Sequence, residues 1–282
     1  MNLKGSAEIY GVVGYPVRHS LSPVFQNAAF RHLGLEAVYI PIEISPEGLG
    51  DLINGLKVME NFKGLNVTVP HKEAVLEFSD SLSEEVKKIG AANTLLFRDG
   101  SIEAYNTDWL GFLRSAELVT TLEGRKVLVL GAGGASRAVL YALNRAKAEV
   151  FLWNRTKEKA LKLSRDFNAD VVDDLEDALA ECQVVVNTTS VGLKEGDPPL
   201  FNYDLLRGEQ VVIDIIYRET PLIKAAKGKG CKYVTGFPML VYQGAESFRI
   251  WTGCEPPVKI MELSLKDYGY PIESSRTPQR TL

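Results

Sequence analysis

The residues of this 282-residue chain best suited to chemistry begin with Gly131-Ala132-Gly133-Gly134-Ala135-Ser136. An apolar run, Val127 to Leu130, precedes them, and Arg137, Ala138 and Val139 continue a helical pattern after them. A glycine-rich turn has no Cβ atoms to hold a ligand off its backbone, so a phosphate can come close. A helix opening there adds unpaired N–H groups and the positive end of its dipole. Ser136 stands at the third position of the pattern G-x-G-x-x-G/A, a small residue but a departure from it. A glycine turn on its own can be purely structural; strand, turn and helix in succession argue for a nucleotide. An NAD site normally carries an acidic residue about 20 residues further on, for the ribose 2′-hydroxyl. The chain offers Asn154, Arg155, Thr156 and Lys157 instead. Such groups can bind a 2′-phosphate, and the planar Arg155 can also stack on adenine. Capping of the next helix by Thr156 or Asn154 is the other use for them, and both uses can coexist. The expected cofactor is NADP rather than NAD.

Other polar residues cluster earlier. Ser20 and Ser22 precede a helical pattern that reaches about His32. Ser22 suits the N-cap, with Pro23 at the first helical position. Capping leaves Ser20 unexplained, and two hydroxyls at a helix start can equally hold a carboxylate. Alternation over 65–69 puts Leu65, Val67 and Val69 on one face and Asn66 and Thr68 on the other. With Pro70, His71 and Lys72 next, these residues read either as a site wall or as a half-exposed strand ending in a solvated lysine. His71 has no histidine at ligand spacing, so it reads as structural or surface-lying, and no metal is expected. Thr107 or Asp108 would cap the helix that starts there.

The elements that must position these groups follow from pattern. Strands are expected over Ile9 to Gly14, Ala37 to Ile44, 65–69, Leu95 to Phe97 and Ile102 to Tyr105, the last two joined as a hairpin by Asp99-Gly100. Helices are expected over Pro46 to Leu56, His71 to Phe78 and Ser83 to Ile89. From Lys126 strands and helices alternate, which implies a parallel, doubly wound sheet. After Gly236 only helices follow, Pro238 to Trp251 and Pro257 to Tyr268, and the simplest packing sends them back onto the first domain. The tail from Glu273 reads as disordered. A composition of 45% hydrophobic and 24% charged residues suits a globular enzyme. A net charge of −4 gives no basic footprint for nucleic acid. Cys182, Cys231 and Cys254 lack a C-x-x-C pair and suit buried thiols in a reducing cytoplasm. No apolar run approaches membrane-spanning length, and Met1 to Glu8 does not read as a leader.

Seven stretches together resemble one family, the NADP-dependent shikimate dehydrogenases. They are S-L-S-P (20–23), N-V-T-V-P-H-K (66–72), G-A-A-N-T (90–94), N-T-D (106–108), G-A-G-G-A-S (131–136), N-R-T (154–156) and G-F-P-M-L-V-Y-Q-G-A (236–245). They run in the family's order, and the resemblance extends over nearly the whole length, Gly11 to Gly253. The resemblance implies an α/β protein of two domains with the site between them: a substrate domain over 1–107, a Rossmann-type NADP domain over 108–236, and helices over 237–282 returning to the first. It implies reversible reduction of 3-dehydroshikimate to shikimate in aromatic amino-acid and chorismate biosynthesis. Lys72 and Asp108 match the catalytic pair, and Ser20 and Ser22 the hydroxyls holding the substrate carboxylate. Asn66, Thr68, Asn93, Asp108 and Gln243 match groups around the ring hydroxyls, with Tyr217 at the far lip. Gly131, Ala132, Gly133, Gly134, Ala135, Asn154, Arg155, Thr156, Lys157, Glu158, Lys159, Ile215 and Gly236 match NADP contacts, and Glu84 a weaker one. Thr188 stands where Ala is more usual, and the segment from Tyr217 to Pro221 is shorter than in many relatives, which bears on how Tyr217 is placed. A cytoplasmic monomer or homodimer acting on a small molecule, without nucleic-acid or membrane partners, is the expectation. Alternatives are a quinate/shikimate dehydrogenase using NAD, and a non-catalytic NADP-binding sensor; the sensor would be expected to have lost Lys72 or Asp108, and both are present.

Overall fold

A computed structural model describes residues 4–269, so the tail from Glu273 lies outside the described residues. The chain forms two six-stranded sheets. The first contains β1 (Glu8–Gly14), β2 (Ala37–Glu43), β3 (Phe62–Val67), β4 (Ser81–Leu82), β5 (Thr94–Arg98) and β6 (Ser101–Tyr105), in the order β2-β1-β3-β5-β6-β4. Strands β1, β2 and β3 run parallel, whereas β5 pairs antiparallel with both β3 and β6. Asp99 and Gly100 both take positive φ (51° and 71°), the geometry of a tight turn whose twist suits a two-residue hairpin. Three helices accompany this sheet: α1 (Ser22–His32), α2 (Leu49–Lys57) and α3 (Glu84–Ile89).

Helix α4 (Asp108–Ala116) leads to the second sheet. Its strands are β7 (Lys126–Leu130), β8 (Glu149–Trp153), β9 (Asp170–Val171), β10 (Val184–Asn187), β11 (Val211–Asp214) and β12 (Lys232–Val234). All pair in parallel, in the order β12-β11-β10-β7-β8-β9. Helices α5 (Gly134–Arg145), α6 (Lys157–Asp166), α7 (Leu175–Glu181) and α8 (Pro221–Gly228) alternate with them. Val127 to Leu130 and Val184 to Val186 are wholly buried, as central strands covered on both faces require. Strand order reverses between β7 and β10, the switch point at which such sheets bind ligands.

Helices α9 (Gly236–Thr252) and α10 (Val258–Ser264) return to the first sheet as expected. Trp251 stacks near Tyr10 and Tyr39, and its indole N–H donates to the Leu95 carbonyl at 2.9 Å. The Gln26 amide donates to the Gly244 carbonyl at 2.8 Å. Among the described residues, no helix is long and apolar enough to cross a membrane.

Three local expectations need correction. Val69 is 68% exposed, because β3 ends at Val67 and the alternation stops there. No helix forms over 71–78, only a tight helical turn at Ala74–Phe78. The Lys72 carbonyl there accepts from Ala92 N at 2.8 Å instead of a partner four residues on, and the buried His71 ring bonds the Ile44 carbonyl. Cys182 and Cys231 are buried as expected, whereas Cys254 is only half-buried.

Candidate active site

Asn66 lies near the end of β3, Lys72 in the turn beyond it, Asn93 just before β5, and Asp108 at the first residue of α4. Lys72 Nζ donates to Asp108 Oδ2 at 2.6 Å, with side-chain exposures of 21% and 12%. A pair this short and this sheltered is held by a charge-assisted bond yet still opens to water. Asn93 Nδ2 donates to Asp108 Oδ1 at 2.9 Å and to Gln243 Oε1 at 3.2 Å. Asn66 donates to the Asn93 carbonyl and accepts from the Tyr39 hydroxyl. Packing explains how Gln243 arrives there. Gly111 on α4 faces α9, where a Cβ would meet Gln243 Cβ and the Met239 carbonyl, each at 2.8 Å.

Ser22 does not cap its helix. Leu21 takes the cap position, and no side chain caps the end. The Ser20 hydroxyl instead accepts from Ser22 N at 3.3 Å, a local turn that carries Ser22 into the first helical position. Both hydroxyls thus stand at the start of α1 without capping it. The buried Tyr39 phenol has its pKa raised by desolvation, opposed by the Ser22 hydroxyl, which places Ser22 beside the Tyr39–Asn66 bond. Thr68 is half-buried one residue past β3, its N–H bound to the Val13 carbonyl. Thr107 is likewise at the cap position of α4 without a capping bond, because its hydroxyl joins Asn93.

On the second sheet, the glycine turn leaves β7 at the switch point. Gly131 has φ +111°, and a Cβ there would meet Thr188 Oγ1 at 2.8 Å. Gly133 and Gly134 are different: both are exposed, and nothing lies within 4 Å of where a Cβ would sit. Ser136, wholly buried, accepts from Gly133 N at 3.0 Å and bonds the Thr188 hydroxyl at 2.7 Å. The two residues that depart from the usual pattern are therefore partners. Asn154 Oδ1 accepts from Ala132 N, and its amide N–H donates to the Thr156 carbonyl, tying the end of β8 to the turn. The Thr156 hydroxyl makes no capping bond, and Arg155 is exposed without a hydrogen-bond or ionic partner among the described residues. Lys157 pairs with Asp173 at 2.8 Å, while Glu158 and Lys159 are exposed on the first turn of α6. An open glycine cradle at a helix start, with an unengaged guanidinium and hydroxyl at the next strand end, fits a dinucleotide carrying a 2′-phosphate.

Ile215 follows β11, and a Cβ on Gly236 would run into its carbonyl, so α9 starts hard against that strand end. Tyr217 is 45% exposed, with its ring 6.2 Å from Phe237. Its phenol pKa is raised first by desolvation, with Lys72 opposing and Asp108 adding to the rise, so the phenol lies within electrostatic range of that pair. The short segment after Tyr217 is secured by Arg218, which donates to the carbonyls of Gly192 and Leu193. Glu84 pairs with Lys87 at 2.7 Å, and no hydrogen bond joins it to the glycine turn. It lies near enough to α5 to add to the raised pKa of Tyr141, which is due first to desolvation. Among the described residues no cluster could hold a metal.

Sequence patterning alone does not single out Tyr39, Thr94 and Ser247, which support the wall from behind. Thr94 sits within G-A-A-N-T, and Ser247 is four residues after Gln243 on the same helical face; Tyr39 carries no such signal.

A switch-point glycine cradle on one sheet, together with amides and hydroxyls around a Lys–Asp pair on the other, is the make-up of a two-domain, dinucleotide-dependent oxidoreductase. The chain belongs to the shikimate dehydrogenase family. Residues 12–95 match the shikimate dehydrogenase substrate binding domain, 114–194 the shikimate/quinate 5-dehydrogenase family, and 236–265 the shikimate 5′-dehydrogenase C-terminal domain. A shikimate dehydrogenase (NADP(+)) of Aquifex aeolicus is 53% identical over 266 residues, 94% of this chain and 98% of that one. The crystal structure of shikimate dehydrogenase from that organism superposes with a TM-score of 0.92 at 52% identity, covering 94% of this chain and 100% of the other. The Thermus thermophilus enzyme, crystallised with NADP(H) and shikimate, gives 0.86 at 39% identity over 92% and 99% of the two chains.

Proposed function

We propose that this chain catalyses the reversible, NADP-dependent reduction of 3-dehydroshikimate to shikimate, with Lys72 and Asp108 as its catalytic residues. The observation that carries this is the 2.6 Å bond from Lys72 Nζ to Asp108 Oδ2, whose other carboxylate oxygen accepts from Asn93 beside Gln243. NADPH, when bound, supplies the hydride. Lys72 donates a proton to the ketone oxygen during reduction and takes it back from the hydroxyl in oxidation. Its partial exposure lets the resulting neutral amine regain its proton from water. Asp108 orients Lys72 and accepts a hydrogen bond from a ring hydroxyl, while Asn93 keeps the other carboxylate oxygen occupied.

Ser20 and Ser22 hold the substrate carboxylate, a role supported by their not capping α1. Asn66, Thr68, Asn93 and Gln243 read the ring hydroxyls, and Tyr217 closes the far lip. A wall built to hydrogen-bond hydroxyls rejects analogues lacking them strongly. Gly131 to Ala135 cradle the pyrophosphate; Asn154 to Lys159 hold the adenosine 2′-phosphate end, chiefly through Arg155 and Thr156; Ile215 and Gly236 border the nicotinamide, with Glu84 at the margin. The division into a substrate domain over 1–107, an NADP domain over 108–236 and returning helices over 237–282 suits these roles. The protein is cytoplasmic and works as a monomer or homodimer.

Replacing Lys72 with Ala tests the assignment. General acid–base groups contribute about 10²–10⁴-fold, so kcat should fall by that order with KM for shikimate little changed. A loss confined to KM would reduce Lys72 to a binding group.

A further inference from the structure

We propose that Ser247, on the returning helix α9, is a positioning residue that fixes the amide orientation of Asn93 and, through it, the Asp108 that holds Lys72. This rests on the roles assigned above to Lys72 and Asp108. An asparagine amide has two unlike ends, and only its nitrogen end can serve a carboxylate. Were Asn93 turned over, its oxygen would face Asp108 Oδ1, now 2.9 Å from its nitrogen, and the pair would repel.

What sets the orientation is the set of donors at the other end. Asn93 Oδ1 accepts from Thr107 N at 2.7 Å and from the Thr94 hydroxyl at 3.0 Å. A hydroxyl has a single proton to give. Once Thr94 gives its proton to Asn93, its oxygen can only accept from its other neighbours. Ser247 Oγ is 2.7 Å away, nearer than any other partner of that oxygen, and itself accepts from Asn66 Nδ2 at 3.0 Å. The Gln243 carbonyl, 3.1 Å from Ser247 Oγ, and the Thr107 hydroxyl, 3.2 Å from it, are the longer alternatives for the serine proton. The proton order therefore runs Asn66 N–H to Ser247, Ser247 O–H to Thr94, Thr94 O–H to Asn93. Ser247 and Thr94 are wholly excluded from solvent, and Asn93 is 2% exposed. Hydrogen bonds in such a dry chain polarise one another, and no water can stand in for a missing member. Ser247 touches none of the reacting atoms; it acts on Asn93 through Thr94, and it also accepts from Asn66 and lies 3.2 Å from the Thr107 hydroxyl.

The test compares Ser247→Ala, Thr94→Val and the double variant in steady-state turnover with shikimate and NADP. NADP affinity, from nucleotide fluorescence, and urea unfolding are measured in parallel. Each single change should lower kcat/KM about tenfold, the effect expected for one buried hydrogen bond, with a fall in kcat and a rise in KM for shikimate. NADP affinity should stay within about twofold, because the chain lies on the substrate side. Both hydroxyls belong to one relay, so the double variant should be about as impaired as the worse single. Unchanged kinetics, with or without a loss of stability, would overturn the proposal, and so would losses that multiply to about a hundredfold in the double variant. If Ser247→Ala does not fold, Ser247→Cys keeps the volume with a weak donor and should show an intermediate loss; full activity in it would overturn the proposal. Failure of the parent assignment looks different: the unaltered protein would not oxidise shikimate, and this proposal would fall with it.

Discussion

Choice between nicotinamide cofactors rests on very few atoms. Arg155 is exposed and unpartnered among the described residues, and the Thr156 hydroxyl caps nothing, although the sequence also offered it as a helix cap. Hydrogen bonds to a charged group contribute about 1.5–3 kcal/mol. Arg155→Ala should therefore raise KM for NADP by about 10–100-fold and leave that for NAD unchanged, which initial-rate kinetics with both nucleotides would show. Equal losses for both would mean that Arg155 serves the adenine or the fold instead. At this scale residue types were legible but engagements were not. Ser22, Thr107 and Thr156 all looked like helix caps, and all three stand at helix starts without a capping bond. Capping is a local reading; what the hydroxyls do instead depends on partners distant in sequence, such as Tyr39 and Asn93.

Elements divide the glycines into two kinds that the sequence cannot separate. Gly236 is required by packing, since a Cβ would strike the Ile215 carbonyl, whereas Gly133 borders open space. Gly236→Ala should cost about 1–3 kcal/mol of stability, as overpacking does. Gly133→Ala should unfold in urea like the parent yet bind NADP more weakly, because its methyl would project into the cradle. Stability lost at Gly133 and kept at Gly236 would reverse this assignment. Strand–turn–helix order and the parallel sheet were plain in the sequence because buried apolar runs and glycine turns are local signals. The Ser136–Thr188 bond was not: each residue alone looked like a minor departure, and only the β7–β10 pairing brings the two together.

In the whole molecule, the C-terminal helices make the first domain complete. Trp251 packs beside Tyr10 and Tyr39 and bonds Leu95, while Gln243 and Ser247 on the same helix reach the site wall. Trp251→Ala should cost about 3–5 kcal/mol in urea unfolding and raise KM for shikimate more than that for NADP. The opposite order would place α9 with the nucleotide side. Between the domains, Arg137 of α5 donates to the Ile89 carbonyl at the end of α3, and Ile89, Ala91 and Ala138 form a small shared cluster. The two sheets are thus joined by a packed contact between α3 and α5. The return of α9 was expected from the order of elements, but its part in the hydroxyl network needed the three-dimensional contacts. The most direct test of the whole account is nicotinamide absorbance when the purified protein meets shikimate with NADP, shikimate with NAD, and quinate with either. Rapid reduction of NADP by shikimate and little change with the other pairs is the expected result. Comparable rates with NAD or quinate would contradict the assigned specificity, and no turnover with any pair, despite NADP binding, would contradict catalysis itself.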